Sequence, residues 1–185
     1  MIEVSRFRHI TQKMRVPGGF AFFAIYILFA KPTWLLVAAG AAIAAVGILI
    51  RAWASGHLRK DAELAMSGPY AYTRNPLYFG SFLIGVGFSI CSGQVWLILA
   101  AAAFFLIIYI PVMMTESEVL SHLFPEQYRQ YSANVPLFFP RLTAYRSAQY
   151  GRQFDSKLYL RYREYRAPLG LLAAIALLAV KIYLE

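Results

Sequence analysis

Apolar residues gather into five long stretches along the chain, at 16–30, 33–54, 76–91, 94–114 and 167–184. Between and before them lie three polar segments, 1–15, 55–75 and 115–166, and two short turns, Lys31-Pro32 and Ser92-Gly93. Runs of this length predict helices that cross a bilayer rather than helices that line a soluble core. The first stretch, Val16–Ala30, reaches only roughly 22 Å at ~1.5 Å per residue, so Met14 and a snorkelling Arg15 are needed to help it span a ~30 Å core. Gly40 and Gly47 give the second stretch small faces that a neighbouring helix can approach, and Gly80, Gly85 and Gly87 stand in the third. Pro111 is expected to kink the last turn of the fourth. The ten residues MIEVSRFRHI carry no secretory signal pattern, so the first membrane segment is expected to be retained. No internal repeat or low-complexity tract interrupts the plan.

Composition agrees with the pattern. Of the 185 residues 59% are hydrophobic, more than a soluble domain of this size carries. The net charge of +9 first suggests nucleic acid or anionic lipid. Position decides between them. Sixteen of the 18 Lys and Arg fall at 6–15, 51–74 or 129–166, and only Lys31 and Lys181 belong to the opposite face. The positive-inside rule then predicts a cytosolic N-terminus, cytosolic polar segments and a C-terminus on the other side. Anionic inner-leaflet lipid is the expected counter-charge, and no nucleic-acid partner is expected. Cys91 is the one cysteine, so no intramolecular disulfide can form.

The two turns on the far face are too short to hold a site, so chemistry is expected at the inner face. The stretch Ser67–Gly80, SGPYAYTRNPLYFG, is richer than a connector requires. Gly68-Pro69 favours a turn, Pro76 suits the first turn of a helix, and Asn75 before it is biased away from helix. Arg74 therefore sits just before a helix N-terminus. It reads either as a clamp for a carboxylate or phosphate or as an interfacial arginine reaching to headgroups. Glu116 is placed at the C-terminal end of the fourth stretch, where a carboxylate opposes the helix dipole. It and Glu118 read either as functional carboxylates or as solvated ones at the interface; two residues apart, they face different ways. Tyr128 and Tyr131 share one helix face, with Phe124 one turn earlier. Lys157–Arg166 predicts an interfacial helix before the last span, in a region that also holds Tyr145, Tyr150, Tyr159, Tyr162 and Tyr165. His9, His57 and His122 lack metal-ligand spacing, and no metal site is expected. Cys91 is expected on the outer side. No phosphate loop or serine nucleophile elbow is present.

Two blocks of the sequence resemble the signatures of the isoprenylcysteine carboxyl methyltransferases and the related integral membrane phospholipid methyltransferases. The first resembles G-x-Y…R-H-P-x-Y-x-G and reads Gly68-Pro69-Tyr70, then Arg74-Asn75-Pro76-Leu77-Tyr78-Phe79-Gly80. The second resembles E-E-x-x-L-x-x-x-F-G-x-x-Y-x-x-Y followed by V-P and a closing Pro. It reads Glu116-Ser117-Glu118-Val119-Leu120, Phe124-Pro125, Tyr128, Tyr131, Val135-Pro136 and Pro140-Arg141. The departures are Asn75 for a histidine, Ser117 for the second glutamate and Pro125 for a glycine.

The resemblance implies an all-α integral membrane protein, a single domain over 1–185 whose motif-bearing part is 55–145. It has about five transmembrane helices, a cofactor pocket on the cytosolic side and an interfacial helix before the last span. It implies S-adenosyl-L-methionine as cofactor, a membrane lipid as substrate, and methyl transfer to an isoprenylcysteine-type carboxylate or a phospholipid amine. Arg74, Glu116 and Glu118 are the candidate catalytic residues. Tyr70, Arg74, Asn75, Pro76, Tyr78, Glu116, Tyr128 and Tyr131 are the candidate cofactor-binding residues. Two other readings stay open. A non-enzymatic lipid-binding protein or small transporter would use polar groups at the bilayer midplane, where Tyr26, Ser81, Ser89 and Tyr109 are the candidates. A membrane reductase would use the Arg-rich 141–166 region for NADPH.

Overall fold

The structure, a computed structural model, describes residues 17–21, 23–59, 63–147 and 152–184. The expectations for Arg6, Arg8, His9, Lys13, Met14, Arg15, Val16, Lys60 and Tyr150 fall outside those residues. Every regular element among the described residues is helical. In chain order they are α1 (Pro17–Phe29), α2 (Trp34–Ser55), α3 (Pro76–Cys91), α4 (Val95–Leu123), α5 (Pro125–Asn134), α6 (Ser156–Arg161) and α7 (Arg166–Leu184), with a 3₁₀ turn at Gly68–Ala71 between α2 and α3. Three of them, α2, α4 and α7, have the length and hydropathy to cross a membrane. The other two apolar helices, α1 and α3, are shorter: the 16 residues of α3 reach only ~24 Å. The five apolar stretches are thus five helices, three of full spanning length.

Local chemistry fixes the helix ends. Thr33 caps α2, its Oγ1 accepting from the Leu36 amide at 3.4 Å. Pro76 and Pro125 occupy the first turns of α3 and α5, where a missing N–H costs nothing. Pro125 also keeps Phe124 out of helical conformation (φ −134°, ψ 61°), which breaks α4 from α5.

α2 and α3 lie antiparallel with their backbones nearly touching. A β-carbon on Gly47 would come within 2.5 Å of the Gly80 carbonyl oxygen, and one on Gly80 within 2.6 Å of the Gly47 oxygen. Gly40 and Gly87 are paired the same way one heptad along, each carbonyl blocking the other's β-position. Gly85 faces open space and belongs to no such pair. The seam runs into an apolar core at the far end, where Tyr26, fully buried, donates to the Phe88 carbonyl at 2.7 Å and stacks on its ring. There the Lys31 amide donates to the Ser92 carbonyl at 2.7 Å, and Lys181 Nζ of α7 donates to the carbonyls of Ile27 and Leu28. Both short turns, Lys31, Lys181 and the buried Cys91 therefore gather at one end of the bundle, opposite the polar segments.

Three elements differ from expectation. α4 does not stop near Met114 but runs on to Leu123, 29 residues or ~43 Å, because T-E-S-E-V-L-S-H-L propagates a helix as well as an apolar run does. Glu116 consequently lies two turns before the helix end, and the argument from an opposed dipole does not apply to it. Pro111 sits three turns before the end rather than in the last one, and the Thr115 hydroxyl donates to its carbonyl at 2.9 Å. The helix expected over Lys157–Arg166 is only α6, six residues capped by Asp155. It closes in a left-handed residue, Arg163 (φ 56°), with Arg163 N–H bonded to Leu160 O and Glu164 N–H to Tyr159 O.

Candidate functional site

The first motif block is held on the second by a polar ladder. The Arg74 amide donates to the Pro136 carbonyl (2.9 Å), the Thr73 hydroxyl to Phe138 O (2.8 Å) and the Asn75 side-chain amide to Leu137 O (2.9 Å). In return the Arg141 and Tyr145 amides donate to the Tyr72 and Ala71 carbonyls, and the Tyr131 hydroxyl donates to Tyr70 O at 2.7 Å. Two segments more than 60 residues apart become one polar cap across the end of α3.

Beneath this cap lies a cavity of about 780 Å³, within the range that suits a nucleotide-sized ligand. The structure brings Tyr70, Arg74, Asn75, Pro76, Tyr78, Glu116, Tyr128 and Tyr131 together in its wall. Glu118 is exposed on α4, outside the lining. On one side Arg74 Nη1 donates to the Tyr128 hydroxyl at 2.9 Å, and the guanidinium stands over that ring, 5.8 Å from its centroid. Arg74 Nε is buried with no partner among the described residues. On another side the Tyr78 hydroxyl donates to Glu116 Oε1 at 2.6 Å.

Among the described residues four charged side chains line the cavity: Arg51, Glu63, Arg74 and Glu116. Arg51 is paired with Glu164, and Glu63 with Arg152 and Arg59. Among the described residues Arg74 and Glu116 have no ion-pair partner; tyrosine hydroxyls hold both. Burial pushes the Tyr70 hydroxyl well above the usual phenol range, with Tyr131 and Glu116 adding to the effect. Burial also raises Tyr131, against the opposing pull of Arg74.

Of the tyrosines among the cofactor-binding candidates, Tyr128 has its ring under the Arg74 guanidinium and Tyr131 gives its hydroxyl to Tyr70 O. Tyr78, its hydroxyl on Glu116, packs edge-on against Tyr109 at 5.5 Å, which itself stacks on Phe105. Tyr109, read from sequence as a midplane polar group, lines the cavity instead. Sequence reasoning missed Arg51, Glu63 and Tyr162 as wall residues. Glu164 was missed as a partner; a lone carboxylate among three arginines and a lysine over 157–166 is a signal that could have flagged it. Among the described residues no group of three or more His, Cys, Asp and Glu could hold a metal ion.

The fold and the cavity define an integral membrane protein with a polar site at one end of an apolar helix bundle. Residues 40–127 match the model of the phospholipid methyltransferase family, a span running from α2 into α5 that holds six of the eight cavity-lining candidates, all but Tyr128 and Tyr131. The resemblance read from the two motif blocks therefore stands. Two curated relatives are similar over 58% of the chain. The nickel-cobalt-cadmium resistance protein NccN of Alcaligenes xylosoxydans xylosoxydans is 36% identical over 110 residues, and the cobalt-zinc-cadmium resistance protein CzcN of Cupriavidus metallidurans is 39% identical over 111. The chain spans about half the length of these relatives, 50% and 49% respectively. No solved structure matches the chain.

Proposed function

We propose that the chain is a membrane-embedded methyltransferase that binds S-adenosyl-L-methionine under the polar cap and methylates a lipid-embedded acceptor. In this reading all five apolar helices sit in the bilayer, with the cap and the cavity on the cytosolic side. The observation that carries the proposal is the pair of charges in one cavity, Arg74 and Glu116, that among the described residues tyrosine hydroxyls hold. A ligand bearing both a carboxylate and an ammonium suits such a pair, and the buried, unpartnered Nε of Arg74 is a donor awaiting an acceptor.

Arg74 would take the carboxylate through Nε. Glu116 would take the ammonium, and Tyr78 and Tyr109 would offer aromatic surface to positive charge. When bound, the cofactor supplies a methyl group activated by a sulfonium. The chain's contribution is position: the polar ladder fixes Arg74, and α4 carries Glu116 to the cavity. A carboxylate acceptor arrives deprotonated. An amine acceptor must lose a proton, and Glu116, its charge shared with the Tyr78 hydroxyl, is the cavity carboxylate suited to accept it. Glu118, outside the lining, has no role in this scheme.

The names of the two relatives bring in a setting, resistance to nickel, cobalt, zinc and cadmium. Carried over to this chain, methylation of an envelope lipid would alter how the surface meets divalent cations. The deciding experiment is calorimetric titration of the purified protein with S-adenosylmethionine, S-adenosylhomocysteine and NADPH. Both sulfur nucleotides should saturate one site, Arg74→Ala should weaken them by about tenfold to a hundredfold, and Glu116→Ala should remove measurable binding of S-adenosylmethionine. Binding of NADPH alone would replace the proposal with the reductase. Labelled methyl transfer to a total lipid extract, with and without cobalt, identifies the acceptor.

A further inference from the structure

One wall residue of the cavity, Tyr162, comes from well beyond the segment that matches the family. It belongs to a strap, residues 152–164, laid along the end of α2. The Asp155 amide donates to Gly56 O at 3.0 Å, the His57 ring meets the Arg152 carbonyl at 3.2 Å, and the Phe154 ring lies over Gly56 where a β-carbon would otherwise be. At the strap's far end the left-handed Arg163 turns the chain so that Glu164 reaches Arg51.

Arg51 is fully committed. Its Nε and Nη2 donate to the two oxygens of Glu164 at 3.0 and 2.7 Å, while Nη1 donates to Ser81 Oγ at 2.6 Å and Leu77 O at 3.3 Å. Gly80 makes room for this side chain, since a β-carbon there would come within 2.6 Å of Arg51 Cγ. At the other end Arg152 pairs with Glu63. The strap therefore cancels one cation and one anion of the cavity wall. Without it Arg51 would stand unpaired and Glu63 would keep only the looser, more exposed contact with Arg59 at 3.7 Å, and a zwitterion could settle in more than one register.

We propose that the strap sets the register of the ligand: Glu164 and Arg152 are positioning residues that mask Arg51 and Glu63, leaving Arg74 and Glu116 as the one pair a zwitterion can use. This rests on the reading given under Proposed function.

The test uses S-adenosylhomocysteine and the full chain. In an Arg74→Ala background, where binding is expected to fall at least about tenfold, adding Glu164→Gln unmasks Arg51 and should recover most of the lost affinity. With Arg74 intact, Glu164→Gln should lower kcat and KM together, by about fivefold or more, as a second and unproductive register competes. If the double variant binds no better than Arg74→Ala while wild type binds, the strap is a structural brace and the inference is wrong. If wild type itself does not bind, the methyltransferase reading falls and the inference with it. Should Glu164→Gln not fold, the mirror experiment decides: Arg152→Gln combined with Arg59→Gln removes both partners of Glu63 and should recover S-adenosylhomocysteine binding in a Glu116→Ala background. No recovery there also overturns the proposal.

Discussion

The α2–α3 seam and the polar cap both bring distant backbone close together, by opposite means. The seam works by deletion: at Gly40, Gly47, Gly80 and Gly87 the side chain is gone, and carbonyls occupy the space. Its closest contacts are backbone against backbone, so it is intolerant of a methyl group and offers pH little to act on. The cap works by pairing. Each carbonyl of residues 70–72 and 136–138 named in the ladder has a donor, and several donors are side chains that a single atom change removes. The lesson is that in the membrane-facing half shape alone specifies the contact, while at the site end hydrogen bonds specify it and leave it open to solution conditions.

Breaking the seam should have the largest effect. Gly87→Val puts carbon against the Gly40 carbonyl and within 2.7 Å of the Ala44 amide nitrogen, atoms that cannot move aside. We expect a loss of about 3 kcal/mol or more and no monodisperse peak in size-exclusion chromatography. A smaller loss belongs to the cap. Tyr131→Phe leaves the Tyr70 carbonyl without its donor and should cost about 1–2 kcal/mol, read as a lower melting temperature at neutral pH. The same variant separates the two regions by pH. Folding raises the hydroxyls of Tyr70 and Tyr131 above their unfolded value of about 10, so their contribution is complete below that pH and is lost as pH climbs past it. The melting temperature should fall in alkali, and fall less steeply in Tyr131→Phe. If the two proteins decline in parallel, the cap is not the alkaline weak point. Least of all, Gly85→Ala, on the same helix as the seam but facing open space, should change stability by at most about 1 kcal/mol and in the stabilising direction.

The sequence shows the apolar part of this architecture well because punctuation and hydropathy coincide there. Asn75-Pro76 and Ser92-Gly93 mark the two ends of α3 as found, and the small faces at Gly40 and Gly47 meet a neighbour as their spacing implies. Where apolarity ends before the helix does, as after Met114, the pattern loses the element, and Glu116 was placed on the wrong part of α4. The candidate site was legible through its motif residues, and the eight of them read as cofactor-binding candidates share the cavity. Its charge state was not. The Arg51–Glu164 contact joins residues 113 positions apart, and no periodicity connects them. Arg51 counted from sequence as one more cytosolic cation for anionic lipid, whereas its guanidinium is spent inside the fold.

The reach of α4 beyond Met114 links the site to its surroundings. Measured along the rod from Val95, Glu116 stands ~31 Å up, level with the edge of a ~30 Å hydrocarbon layer. The carboxylate is fixed to the shaft and cannot adjust its height alone. A host with longer acyl chains would draw it toward oil, and one with shorter chains would lift it into water, unless the rod tilts. Bilayer thickness is thereby an unseen dimension of the proposed chemistry, set by the cell rather than by the polypeptide.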